Sequence, residues 1–254
     1  MPYSLKLLLF GLLTTSACLV ILPLAPFDRD GILAYRISRF WAWGILKLCG
    51  IRLTVQGLEG LDPNRQYIFI ANHQSYIDIP ALAQALSQFQ LRWIAKKELF
   101  WIPLFGWTLW TSKHIVVDRS SLSRAMNSLS KARERIEKGI SVVVFPEGTR
   151  SHHGDLLPFK RGGFLLAFKS QTPIVPVTLK GSGAVWSRGD WRIRSGEIEI
   201  VMGKPVPVDR YRAGDLKPLL NRVRAEIESH SHPQTDSLSN RLNSFMTPAQ
   251  HMPG

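Results

Sequence analysis

Short apolar runs that stop abruptly at polar turns recur along most of the chain, and this rhythm constrains the fold more than any other feature. Such runs occupy residues 52–56 (RLTVQ), 67–71 (YIFIA), 114–117 (HIVV), 141–145 (SVVVF), 174–179 (IVPVTL) and 197–202 (EIEIVM). Their length and β-branched content predict strands. Between them lie stretches with helical spacing. Residues 120–138 put Leu122, Ala125, Met126, Leu129, Ala132 and Ile136 on one stripe behind a capping sequence, DRSS, and residues 215–228 do the same with Leu216, Leu219, Leu220, Val223 and Ile227. This alternation predicts an α/β fold: a central, largely parallel sheet flanked by helices.

The N-terminal segment follows a different pattern. Residues 7–25 (LLLFGLLTTSACLVILPLA) carry no charge and follow Lys6. A run of about 18 or more such residues is long enough for a spanning helix. A signal peptide has similar parts, but its apolar region is usually shorter. Residues 31–50 put Arg36, Arg39 and Lys47 on one side of a helix, with Leu33, Ile37, Trp41, Ile45 and Leu48 mostly opposite. A basic amphipathic helix bearing Trp41 and Trp43 suits the headgroup region of a membrane; the alternative is a helix packed on the globular part. The expected organisation is an N-terminal helical membrane anchor over 1–50, a catalytic domain over 51–228, and a polar, disordered tail over 229–254.

The 254 residues carry a formal net charge of +13 with a pI near 10.1. That balance calls for an anionic partner: nucleic acid, an acidic membrane surface or a phosphorylated substrate. The basic residues are dispersed and no nucleic-acid-binding motif is present, so nucleic acid is not the expected partner. Cys18 and Cys49, both in the apolar N-terminal part, form neither a metal motif nor a disulfide framework.

Three constellations carry chemistry. In IFIANHQSYIDIP (68–80) a strand ends near Asn72, and Asp78 is placed to cap a helix beginning at Ile79, with Pro80 in its first turn. Positions five apart on a continuous helix diverge, so His73 and Asp78 meet only if the residues between them form a turn. A carboxylate there would fix the imidazole tautomer and support the imidazolium formed after proton abstraction; the alternative is an ordinary cap beside a surface histidine. In VVVFPEGTRS (142–151), Glu147, Thr149 and Arg150 surround Gly148, and free amides, a hydroxyl and a guanidinium fork suit a phosphate. Arg119, Lys160 and Arg161 follow or flank further apolar runs. Strands that run parallel bring their C-terminal ends to one edge, where ligands bind. His73, Arg119 and Glu147 each follow a strand, so they converge if those strands are parallel neighbours. A base beside a basic phosphate cradle describes an enzyme that activates a hydroxyl on a phosphorylated substrate. The aromatic-rich stretch 93–110, beside Lys96 and Lys97, is either core or the lining of an acyl-chain path.

NHQSYID (72–78), VVDR (116–119), FPEGTRS (145–151) and IVPV (174–177), in this order, together resemble the four blocks of the glycerolipid acyltransferase family, specifically its 1-acylglycerol-3-phosphate acyltransferases; KKEL (96–99) and PFKRGG (158–163) are similar to that family too. The resemblance implies a direct transfer from acyl-CoA or acyl-carrier protein to the free hydroxyl of a lysophospholipid acceptor, without an acyl-enzyme and without a cofactor or metal. It implies that His73 is the base and Asp78 its partner, and that Arg119, Gly148, Thr149 and Arg150 hold the acceptor phosphate. Glu147 would orient that loop or the acceptor, Lys96 would belong to the substrate-binding set, and Pro176 to acyl-donor binding. It also implies a membrane location on the inner, cytoplasmic face, with 7–50 kept as the anchor and membrane lipid as a partner.

The second block departs from the family pattern. Lys113-His114 and Val116-Val117 stand where the family has a glycine before the strand and an aromatic within it, which puts acceptor choice among lysophosphatidate, other lysophospholipids and lyso-aminolipids in question. A lipase or esterase would need a G-x-S-x-G turn, which the sequence lacks. A non-enzymatic acidic-lipid-binding protein would leave the ordered His, Asp, Glu and Arg blocks unused.

Overall fold

The computed structural model describes residues 1–117, 122–151, 155–212 and 214–231. Two helices come first, α1 (Tyr3–Ile21) and α2 (Ile32–Cys49), joined by a 3₁₀ turn over Leu22–Phe27. There follow β1 (Ile51–Gln56), β2 (Ile68–Ala71), α3 (Asp78–Ala85), β3 (Leu91–Lys96), α4 (Phe105–Thr111), β4 (Ile115–Val117), α5 (Leu122–Glu137) and β5 (Ser141–Val144). The chain continues through α6 (Gly162–Ser170), β6 (Ile174–Lys180), α7 (Ser182–Val185), β7 (Gly196–Met202) and α8 (Lys217–Ser231).

The seven strands form one sheet in the order β1-β7-β6-β2-β5-β3-β4. The strands from β6 to β4 are all parallel; β7 runs antiparallel to β6, and β1 runs parallel to β7. The sheet is therefore largely parallel, as the strand–helix rhythm predicts. Its central strands are buried on both faces, which is why they read as unbroken apolar runs. Alternate residues serve opposite layers. Phe69, Val143 and Val175 pack with Leu82 of α3 and Ile45 of α2, while Ile68, Val142 and Ile174 pack with Ile136 of α5, Leu166 of α6 and Val223 of α8.

Three elements differ from the sequence reading. Strand β3 was not expected, because Arg92 and Lys96 break its apolar pattern. Arg92 is nevertheless fully buried: Nη1 donates to the Leu91 carbonyl at 2.8 Å, Nη2 to the Asp30 carbonyl at 2.7 Å, and the guanidinium lies 5.5 Å from the Tyr35 ring centre. Burial lowers its pKa to about 10. Asp78 is not a cap before Ile79; it is the first residue of α3, with Ile77 at the cap position. Helix α8 continues to Ser231, past the expected boundary at 228, and the rest of the expected tail, 232–254, lies outside the described residues.

The N-terminal helices lie against the sheet domain. The segment Tyr3–Phe27 is long and apolar enough to cross a membrane, with an 18-residue window of mean hydropathy 2.3. Yet Lys6, expected as a charge flanking that run, is buried: its ammonium donates to the Cys49 carbonyl at 3.2 Å and to Ser195 Oγ at 3.0 Å. A cation at the C-terminal end of α2 is favoured by the unpaired carbonyls there. Further along α1, Phe10 meets Trp41 and Trp186 edge-on, and Trp41 Nε1 donates to Thr14 Oγ1 at 3.1 Å. Helix α2 buries Ala34, Tyr35, Ala42, Ile45, Leu46 and Cys49, so of its expected apolar face only Ile45 is fully buried. Phe40 and Trp43 remain exposed and stack on each other.

Candidate active site

The site forms where β2 and β5, adjacent and parallel, both end. Asn72 closes β2. Its Nδ2 donates to the Leu179 carbonyl at 2.9 Å and its Oδ1 accepts the Leu179 N–H at 2.7 Å, so a side chain continues the link to β6 as the backbone turns away. The next residues form the turn that brings positions 73 and 78 together.

Asp78 is completely buried, and a single oxygen, Oδ2, gathers three donors. It lies 2.7 Å from His73 Nδ1 and 2.8 Å from each of the backbone nitrogens of Gln74 and Ser75. A carboxylate oxygen that already accepts two N–H groups is an acceptor towards the ring as well. His73 therefore carries its proton on Nδ1 and presents the Nε2 lone pair. Its ring is stacked on Phe145, with centres 3.9 Å apart and planes 15° from parallel, and Trp93 stacks beyond Phe145 at 6.2 Å. The orientation of the imidazole is thus set at one ring atom by Asp78 and over its face by Phe145, while 15% of the side chain stays accessible.

Glu147 holds the two loops together. Oε1 accepts the His73 N–H at 2.8 Å, and Oε2 accepts the Leu157 N–H at 2.9 Å. Burial pushes its pKa up, and the two backbone donors pull it back in part. The return contact runs from the Ser151 N–H to the His73 carbonyl at 2.9 Å. Gly148 sits at φ +71°, a conformation that favours glycine, and closes a turn back to the Phe145 carbonyl. Arg150 lies over the Tyr76 ring, 3.4 Å from its centre. From the far side, Arg224 of α8 donates to the carbonyls of Leu157 and Leu156 and steadies the chain that Glu147 grips.

The expected residues do not all meet. His73, Asp78, Glu147, Gly148, Thr149 and Arg150 form one contiguous unit. Lys96 is exposed at the end of β3, two strands from β2 along the same edge. Pro176 is buried inside β6 opposite Ile70, so its ring lies within the sheet rather than at the mouth of the site. It accepts the Gly203 N–H at 2.8 Å but has no N–H to return, and the β6–β7 pairing begins one residue later at Val177. Arg119 lies outside the described residues. Ser75 is fully buried, with Oγ donating to the Trp186 carbonyl and accepting the Ile77 N–H; it has the contacts of a turn residue, not of a nucleophile. Among the described residues no three His, Cys, Asp or Glu side chains gather as a metal site. Sequence reasoning missed Phe145 and Tyr76. Both stand inside the quoted blocks, but their roles depend on contacts with residues more than seventy positions away.

A family model described as Acyltransferase matches residues 52–180, the span from β1 to the end of β6. The chain is 33% identical to the 1-acyl-sn-glycerol-3-phosphate acyltransferase alpha of Ovis aries over 204 residues, covering 80% of this chain and 71% of that protein. The chain belongs to the acyltransferase family. The human alpha enzyme is equally similar, at 33% identity over 80% of this chain and 72% of its own length, and a 1-acyl-sn-glycerol-3-phosphate acyltransferase of Limnanthes alba is 39% identical over 70% of this chain and 63% of its own. The fold is shared with the crystal structure of the 1-acyl-sn-glycerophosphate (LPA) acyltransferase PlsC from Thermotoga maritima, with a TM-score of 0.71 and 24% identity, covering 94% of this chain and 98% of that one. In this chain His73 and Asp78 lie past the C-terminal end of β2, on the edge of the parallel strands where α/β folds bind their ligands.

Proposed function

We propose that this acyltransferase moves a fatty acyl group from a thioester donor, acyl-CoA or acyl-carrier protein, to the free hydroxyl of 1-acylglycerol-3-phosphate, giving phosphatidic acid. The observation that carries the reading is the 2.7 Å contact between His73 Nδ1 and the buried Asp78 carboxylate. His73 Nε2 takes the proton from the acceptor hydroxyl as its oxygen attacks the thioester carbonyl. The C–S bond breaks, the thiolate leaves, and the imidazolium returns the proton to it. Asp78 supports the imidazolium in between. The acyl group passes directly to the acceptor.

Arg150, with Gly148 and the hydroxyl of Thr149, would hold the acceptor phosphate beside His73, and Arg119 keeps its expected share of that task. Glu147, with both oxygens engaged by backbone donors, orients the loop. Lys96 stays in the substrate-binding set, and Pro176 with acyl-donor binding, through the family resemblance alone.

Residues 1–50 serve as the membrane anchor and 51–228 as the catalytic domain. The anchor enters one leaflet of the membrane rather than spanning it. Support comes from α1 lying along the domain, tied at Lys6, and from the exposed apolar rings around it: Phe40 and Trp43 on α2, Trp107 and Trp110 on α4, and Trp191, which meets Tyr3 edge-on. An apolar surface of that kind marks a membrane contact. The family's thioester donors are cytoplasmic, so the leaflet entered is the cytoplasmic one.

The test is acylation by the full chain in mild detergent, supplied with oleoyl-CoA and lysophosphatidate, following thiol release and phosphatidate together. Matched release of thiol and phosphatidate supports the reading. Thiol release only with another lysolipid changes the acceptor, and release of free fatty acid with no acylated product contradicts transfer.

A further inference from the structure

We propose that Tyr76 is a positioning residue: its ring holds the Arg150 guanidinium flat and aims it at the acceptor's phosphate, so that Tyr76 sets affinity for the anionic headgroup without taking part in the chemistry. The inference rests on the reading of Arg150 as a phosphate ligand.

The guanidinium lies 3.4 Å from the centre of the Tyr76 ring, within the range of a strong cation–π contact. Tyr76 is backed in turn by Trp186, with ring centres 5.0 Å apart, and Trp186 is backed by Phe10 of α1 at 5.3 Å. Trp186 is fixed at both its polar ends: its indole N–H donates to the Asp190 carbonyl at 2.7 Å and its own carbonyl accepts Ser75 Oγ at 2.7 Å. A column of rings therefore runs from α1 to the guanidinium. Arg150 is held from its backbone as well, because Arg188 Nη1 donates to the Arg150 carbonyl at 3.1 Å.

The guanidinium is incomplete as it stands. Among the described residues Arg150 Nη1 is buried and has no hydrogen-bond partner. A buried charged donor left unmatched is costly, and an anion seated there removes the cost. The π face supplies no acceptor along the donor edge, so stacking fixes the plane while Nη1 keeps no hydrogen-bond partner among the described residues. Tyr76 itself is 49% exposed. Shortening its side chain opens no core cavity, so a loss of function there is separable from a loss of fold.

The test is steady-state kinetics of the full chain with oleoyl-CoA and varied lysophosphatidate. Tyr76→Leu is expected to raise the acceptor KM by about three- to thirtyfold, the range of a cation–π contact converted to affinity, with kcat within about twofold. Tyr76→Phe, which keeps the ring, is expected to restore the native KM. In an Arg150→Gln background, Tyr76→Leu is expected to add nothing further. An unchanged KM in Tyr76→Leu, an equal loss in Tyr76→Phe, or independent effects in the double variant would each overturn the proposal. If Arg150→Gln raises KM and Tyr76→Leu does not, only the positioning role fails. If Arg150→Gln leaves KM unchanged, the phosphate-ligand reading fails first and the role of Tyr76 falls with it.

Discussion

Glu147 accepts the backbone N–H of His73 at 2.8 Å with one carboxylate oxygen and the N–H of Leu157 at 2.9 Å with the other. The acidic residue of the FPEGTRS loop thus braces the His73 backbone, with each oxygen engaged by a backbone donor and the side chain buried. An amide in its place has only one acceptor, and its NH₂ would face a backbone donor. Glu147→Gln is expected to cost about 1.5–3 kcal/mol of stability, the scale for hydrogen bonds to a buried charged group. Activity should fall at least about tenfold as His73 shifts. Denaturation midpoints and turnover of the same preparations check both.

Asp78→Asn keeps the shape of the carboxylate and removes the charge that supports the imidazolium. It also puts an NH₂ where Oδ1 now has no partner among the described residues. Turnover is expected to drop by about 10²–10⁴-fold, with the KM values for acceptor and donor changed by no more than about threefold. A large KM change with normal turnover would show instead that Asp78 shapes the acceptor pocket.

Lys6 ties α1 to the end of α2 and to Ser195. Lys6→Met keeps the length of the side chain and loses both contacts. The variant is expected to melt about 3–8 °C lower in detergent, from hydrogen bonds to a charged group worth roughly 1.5–3 kcal/mol in a domain of this size. It should still bind vesicles, since the apolar face of α1 is untouched. Thermal melts and vesicle flotation separate the two effects.

His114 gives a pH signature. Its Nδ1 accepts the Trp93 N–H at 3.2 Å, and burial, with Arg92 nearby, lowers its pKa to about 3. The folded protein therefore keeps this ring neutral, whereas the unfolded chain takes up a proton below about pH 6.5. The stability it contributes is complete above that pH and is lost as the pH falls towards 3. Between pH 7 and 5 the expected loss is ~1–2 kcal/mol. His114→Asn keeps an acceptor near the same place and removes the titration, so its denaturation midpoint should fall less over that interval.

Much of this was legible because the informative residues are polar ones placed at the ends of apolar runs. IFIANH and VVVFPEG each announce a strand and the turn that follows it, and the parallel order of β2 and β5 then brings His73 and Glu147 together. Position five from the histidine pointed to Asp78, although the carboxylate reaches back into the turn instead of capping α3. Other features were hidden for physical reasons. Arg92 disguised β3, because a buried guanidinium held by two carbonyls beside an aromatic face looks the same in sequence as a solvated one. Lys6 reads as a membrane flank until its contacts with Cys49 and Ser195 are seen. Phe145 under His73 and Tyr76 under Arg150 are tertiary contacts for which periodicity carries no signal.

The most direct test of the account is the turnover of His73→Ala beside the native chain, with oleoyl-CoA and lysophosphatidate, in detergent. Removing the imidazole that Asp78 and Phe145 orient is expected to lower phosphatidate formation by at least about 10²-fold, while the melting temperature stays close to that of the native chain. Full activity in His73→Ala would contradict the account and place the base elsewhere on the sheet edge.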